Sequence, residues 1–213
     1  MTDRLVDVSL TEWEDGIDLI LDTRVALPPT QVWPYVTRSE LVESWFVAYS
    51  AGEGDDEIVL ELDDQPAAAH ILSIEAPQTD ADPAHLLLDI TGIGRLGLTL
   101  TPVDGDEDDA DLPAPPAIAA TTAAGAPVGA DGASTGTDGA GTPIAATRIT
   151  LAHTLADRGI DHEVLSQVIS QVGPVWETHL RLLAGALTNS PGAYDVLEEE
   201  LTLRYEQIAQ EIE

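Results

Sequence analysis

The stretch DITGIGRLGLTL, Asp89 to Leu100, contains a literal G-x-G-x-x-G. In a dinucleotide-binding protein those glycines close a turn, and a helix follows at once so that its N-terminus can receive the pyrophosphate. Here LGLTLTPV follows, an alternating, strand-like run, with no strand–helix–strand unit around it. The glycines therefore read as a hairpin turn, and no nucleotide or other cofactor is expected. The run DGDEDDAD, Asp104 to Asp111, has aspartates at the first, third and fifth positions of a calcium loop. Its sixth position is Asp109 where such a loop needs Gly, and its twelfth is Pro115 where it needs a bidentate Glu, so no formed metal site is expected.

The five histidines are His70, His85, His153, His162 and His179. None pair at i,i+4 or as H-x-H, the spacings that set two imidazoles on one metal. His70, His85 and His153 fall on strand-like runs, where each could project into an interior space and move a proton, or simply be a hydrogen-bonded strand residue. There is no G-x-S-x-G elbow, and no Cys to supply a thiolate or a disulfide. Arg95 and Arg148 stand on or beside strands in a chain almost without positive charge. Either could anchor an anionic headgroup, or each could offset neighbouring carboxylates.

The formal net charge is -31, from 39 acidic against 8 basic residues, and all of the basic residues are Arg. Such a surface repels nucleic-acid backbones and anionic membranes, so neither is an expected partner. It reads as the habit of an acidic or salt-adapted proteome, or as an acidic docking face for a basic partner. The opening MTDRLVDVSLTEWEDG lacks the apolar centre of a signal peptide, and no apolar run nears the roughly 18 residues that span a bilayer. A cytoplasmic protein is expected. Aromatic residues make up 4% of the chain, so each one weighs heavily in any core or pocket.

The elements that must position these residues follow from hydrophobic periodicity. Residues 1–16 read as a polar N-terminal extension carrying Trp13. Ile17 to Leu27 alternates as a strand and ends at Pro28-Pro29, after which a short helix covers about 30–36. A second short helix opens at Thr37-Arg38-Ser39-Glu40, which has capping-box spacing, and runs through Trp45 and Phe46. After the turn AGEGDDE come strand-like runs at Ile58–Leu62, Ala67–Glu75, His85–Thr91, Leu96–Val103 and Thr147–Leu155. No helix pattern separates them, which indicates an antiparallel meander. Between the last two, residues 104–146 are rich in Ala, Gly, Thr, Pro and Asp and bury too little to offset ordering, so a disordered hairpin insertion is expected. Asp161 to Leu187 carries a helical stripe of Leu165, Val168, Val172, Trp176, Leu180, Leu183 and Leu187, interrupted by Gly173-Pro174, where a kink is expected. After Ser190 an extra acidic helix, within 188–213, sets Leu197, Leu201, Tyr205, Ile208 and Ile212 on one side, to pack on its own domain or on a second copy.

Two stretches, ALPPTQVWPYVTRSELVESWF (26–46) and TRITLAHTL with GPVWETHLRLLAGAL (147–187), resemble the SRPBCC (START-like) superfamily, and within it the branch of activator-of-heat-shock-protein-90-ATPase homologues. The resemblance implies an α+β helix-grip fold over 17–187, a curved antiparallel sheet around a long C-terminal helix with an apolar cavity between them. By position it brings Trp33, Trp45 and Phe46 to one end of the cavity, and Trp176, Leu180 and Leu183 to the helix side. His70, His85 and Arg95 are the polar candidates on the sheet. The foremost functional expectation is the binding of a hydrophobic small molecule. A protein-interaction, co-chaperone-like or regulatory role comes next, and a cyclase or dehydratase using a strand His comes last. A monomer or homodimer is expected.

Overall fold

The computed structural model describes residues 5–13, 16–62, 65–103, 146–156, 160–190, 195–196 and 198–210. The expected insertion, apart from Ala146, lies outside these residues, as do Leu197 and Ile212 of the last helix. The strands are β1 (Asp7–Trp13), β2 (Gly16–Val25), β3 (Tyr49–Ala51), β4 (Glu57–Leu60), β5 (Ala67–Glu75), β6 (Ala84–Ile90), β7 (Gly94–Val103) and β8 (Ala146–Ala156). The helices are α1 (Pro29–Thr37), α2 (Ser39–Val42), α3 (His162–Thr188) and α4 (Glu198–Gln210). The strands form one antiparallel sheet in the order β1-β2-β8-β7-β6-β5-β4-β3. Val103 pairs with Ala146, the last described residue before the 104–145 segment with the first after it. Among the described residues no helix is long and apolar enough to cross a membrane.

Period-two alternation builds the inner face of the sheet. Leu19, Leu21 and Val25 of β2 point inward, beside Ile149 and Leu151 of β8, Leu96, Leu98 and Leu100 of β7, and Leu86, Leu88 and Ile90 of β6; all are buried. The inward polar residues are satisfied. Thr23 Oγ1 donates to the Leu5 carbonyl at 2.8 Å, and Thr147 Oγ1 donates to the Leu27 carbonyl at 2.6 Å. Because β2 and β3 stand near opposite edges, the chain between them must cross the sheet, and α1 and α2 make that crossing. The long helix α3 lies on the same face, against β2 and β8. This is the α+β helix grip.

Several elements differ from expectation. Residues 7–13 are no mere extension: they form the edge strand β1, in register with β2 from Asp7↔Asp22 to Trp13↔Gly16. The three-residue β3 is a further strand beyond those expected, because so short a run has no period to detect. The capping box does not form. Arg38 caps α2, and Thr37 Oγ1 turns back to donate to the Trp33 carbonyl at 2.8 Å. On α3 the buried stripe runs through Ile169 and Ala184, while Val168 and Val172 are half-buried.

The glycines of GIGRLG do make a turn. Gly92 (φ 81°) and Gly94 (φ 108°) take left-handed backbone that a side chain would strain. The Gly173-Pro174 pair lies within α3, which runs on to Thr188. Gly173 serves a close approach, since a Cβ there would lie 2.1 Å from Cδ1 of Tyr205. α4 thus packs on its own chain. Beside that contact the fully buried Glu177 carboxylate accepts from Arg181 Nε (3.0 Å) and Nη2 (2.8 Å) and, through both oxygens, from Arg204 Nη1 (2.8 and 2.9 Å), while Arg204 Nη2 donates to the Val6 carbonyl at 2.6 Å. One carboxylate thereby ties α3, α4 and the start of β1. Breaking such a pair by removing one member typically costs about 3–5 kcal/mol, because a buried charge is left behind.

Candidate functional site

The helical crossing is pinned at both ends by its own polar groups. Trp45 Nε1–H donates to the Tyr35 carbonyl at 2.7 Å, folding the turn after α2 back onto α1. His179 Nδ1–H of α3 donates to the Trp45 carbonyl at 2.7 Å. Ser39 Oγ donates to the Tyr49 carbonyl at 2.6 Å and accepts from the Tyr49 amide at 2.7 Å, locking α2 to β3.

Under this crossing lies a cavity of about 100 Å³. Its roof is Val36, Val42, Trp45 and Phe46 from the helices, with Thr37 and Tyr49 at the side. Its floor is Ile58, Leu60, Ile71, Ile74, Leu86, Leu88, Leu96 and Leu98 from β4–β7. The two polar side chains are already engaged: the Tyr49 hydroxyl donates to the Thr37 carbonyl, and the Thr37 hydroxyl donates to the Trp33 carbonyl. Burial, with Glu40 adding to it, pushes the Tyr49 phenol up, so it stays a protonated donor. A guest therefore meets an apolar wall with its polar atoms turned to the backbone. Ile74 is 53% exposed and marks the rim.

A β-bulge sets that rim. Ile71 pairs with Leu88 and Ile74 with Leu86, with the register shifting between Ile71 and Ser73. The extra residue, Leu72, points outward, and Ile74 returns to the inner face.

Behind Phe46 stands a cluster of rings. Phe46 lies 5.7 Å from Trp176 and 5.1 Å, edge-on, from His179, and Trp176 lies 5.5 Å from His153. Trp176 Nε1–H donates to His153 Nδ1 at 2.9 Å, which requires that nitrogen to be bare. His153 Nε2–H then donates to the Ile93 carbonyl at 3.0 Å. Both nitrogens are thus occupied in a neutral ring. Burial lowers the pKa of His153, opposed by the Ile93 bond and by Asp18, and burial likewise lowers that of His179.

Of the residues singled out in the sequence, Trp45 and Phe46 line the cavity. Trp33 is half-buried on α1 and packs against the core outside the cavity. Trp176 stands behind Phe46, while Leu180 and Leu183 fill the core between α3 and the sheet. His70, His85 and Arg95 do not reach the cavity, because strand alternation turns them to the opposite face. Their inward neighbours are Ala69, Leu86 and Leu96. On that outer face His70 and Arg95 each pair across strands with Asp89, and His85 Nδ1 lies 3.3 Å from Thr99 Oγ1. Arg148 is there too, opposite Arg24 and Thr101. Among the described residues no three His, Cys, Asp or Glu side chains converge on a metal position. Sequence reasoning missed the floor of β4–β7. Its signal was present as paired inward aliphatics, LLL and LGL, and as the ILSI spacing that the bulge brings to one face.

No family model matches the sequence, and no curated protein matches it. Among solved structures, CalU16 from Micromonospora echinospora is 13% identical and aligns over 96% of this chain and 96% of its own, with a TM-score of 0.52. EF2215 from Enterococcus faecalis, a conserved protein of unknown function, is 9% identical and aligns over 100% of this chain and 95% of its own, with a TM-score of 0.53. At such identities the likeness carries the fold alone, the α+β helix-grip architecture.

Proposed function

We propose that the protein binds a small apolar molecule, or the apolar end of a larger one, in the cavity beneath α1 and α2, and that it belongs with the SRPBCC proteins named for the heat-shock-protein-90 ATPase activator homologues. The branch assignment rests on the resemblance of segments 26–46 and 147–187. The observation that carries the binding reading is the pairing of the cavity's polar atoms: Thr37 and Tyr49 spend their hydroxyls on backbone carbonyls, leaving aliphatic and aromatic surface for the guest. Concave apolar pockets of this kind are the usual small-molecule sites of proteins. An apolar cavity of about 150 Å³ in another protein stays dry and takes benzene; at about 100 Å³, with a rim open at Ile74, this one suits a branched alkyl group or an aryl ring that projects through the rim.

Toluene is a suitable probe. A ligand that binds the folded state raises stability by mass action, by about 2.7 kcal/mol at a hundredfold excess over Kd. Toluene should raise the melting temperature of the wild-type protein. Leu88→Trp, which fills the cavity from the floor, should melt cooperatively and show no shift. Absence of a shift in the wild type, or an undiminished shift in Leu88→Trp, would overturn the reading.

A further inference from the structure

We infer that the outward face of α3 is a self-association surface, on which a second copy of this chain packs helix to helix about a two-fold axis. The face is a stripe of Val164, Val168, Gln171, Val175, Thr178 and Leu182, spaced four, three, four, three and four residues apart. That spacing is the seam of paired helices. Val164, Val175 and Leu182 are 45%, 52% and 42% exposed, while the opposite side of α3 is already covered by the sheet and α4.

Charge selects the occupant. The chain carries 39 acidic residues in 213, yet between 164 and 188 there is one carboxylate, Glu177, and one arginine, Arg181. Both are buried and paired with each other. His179 is half-buried, and burial favours its neutral form. Past Glu163 in its first turn, the exposed face of α3 from Val164 to Leu182 is thus an uncharged, largely apolar strip on a chain of net charge -31. A basic partner would find no carboxylate on it to pair with. An identical strip would meet it without repulsion at the seam. α4 offers the contrast: its exposed Leu203 stands among exposed Glu199, Glu200 and Glu206, which two copies could not bring together. In a two-fold arrangement the same patch serves both copies, so antiparallel helices would set Leu182 near Val164 across the axis, with Val175 close to it. The inference stands apart from the cavity reading, since no stripe residue lines the cavity.

Sedimentation velocity of the full chain tests this. Repulsion between the rest of the two surfaces should weaken association at about 0.1 M NaCl and be screened at about 1 M, where the Debye length is about 3 Å. The expected result is twice the monomer mass at high salt for the wild type and for Leu203→Glu, and the monomer mass for Val175→Glu and Leu182→Glu. Both α3 positions are exposed, so all variants should retain wild-type circular dichroism. A monomeric wild type at high salt, a dimer that survives Val175→Glu with Leu182→Glu, or a dimer lost on Leu203→Glu would overturn the inference.

Discussion

At the scale of single residues, His153 shows how a group suited to proton transfer is used for structure instead. Its two nitrogens are held by Trp176 and by the Ile93 carbonyl, and the bond accepted from Trp176 at Nδ1 requires the neutral ring. Its pKa in the folded state lies below the ordinary value, so the unfolded chain takes up the proton first as pH falls. Stability is then full above about 6.5, declines as pH drops below it, and levels off once the folded pKa is passed. His179 acts in the same sense. Replacing His153 with Phe should cost about 1–3 kcal/mol at neutral pH by orphaning the Trp176 N–H, and should flatten the dependence on pH below neutrality. Urea unfolding of wild type and variant over the same pH series checks this, with the carboxylate background common to both. Equal slopes would show that His153 is not linked to folding. In the sequence His153 is a strand histidine like His70 and His85. Alternation along β8 turns His153 inward with Ile149 and Leu151, but it is the pairing of β7 with β8 that sets it beside the Ile93 turn, and cross-strand register is not written in local periodicity.

At the scale of elements, legibility followed the strength of the local pattern. β2, β5, β6, β7 and β8 alternate over seven or more residues, and α3 repeats over 27, so periodicity finds them. β1 and β3 depend on a neighbour to pair with, and β3 is only three residues long. The capping residues at 37–40 are ambiguous, since a Thr hydroxyl can bond forward to an amide or back to a carbonyl, and here the carbonyl of Trp33 wins. Gly173-Pro174 reads as a helix breaker in isolation, yet tertiary packing gives the glycine its use. Gly173→Ala would place a methyl group 2.1 Å from the Tyr205 ring, so α4 must shift. The expected loss is about 1–3 kcal/mol from overpacking, with faster proteolysis at α4. Tyr205→Leu in the same chain should recover part of it, a coupling that a double-mutant cycle measures. Additive effects would mean that the glycine is not there for the tyrosine.

At the scale of the whole molecule, the net charge of -31 opposes compaction. The unfolded chain spreads those charges apart, while the fold gathers the carboxylates of the described residues on its surface. Glu177 sharpens the point, since two of the eight basic residues, Arg181 and Arg204, are committed to one buried acid, which cancels one of their two charges and leaves less to offset the surface repulsion. Screening should therefore stabilise the protein. Raising NaCl from about 0.1 M to about 1 M shortens the Debye length from about 10 Å to about 3 Å, and the urea midpoint should rise with it. The gain should shrink as acid neutralises the carboxylates that produce the repulsion. A urea midpoint that is flat in NaCl at neutral pH would mean that these carboxylates are spaced well enough on the folded surface to repel no more than they do in the unfolded chain. Sodium sulfate at matched ionic strength separates the two contributions of salt. Charge screening depends on ionic strength, whereas the strengthening of apolar burial by excluded ions is greater for sulfate than for chloride. Equal gains in the two salts would assign the effect to charge, and a much larger gain in sulfate would assign it to the core.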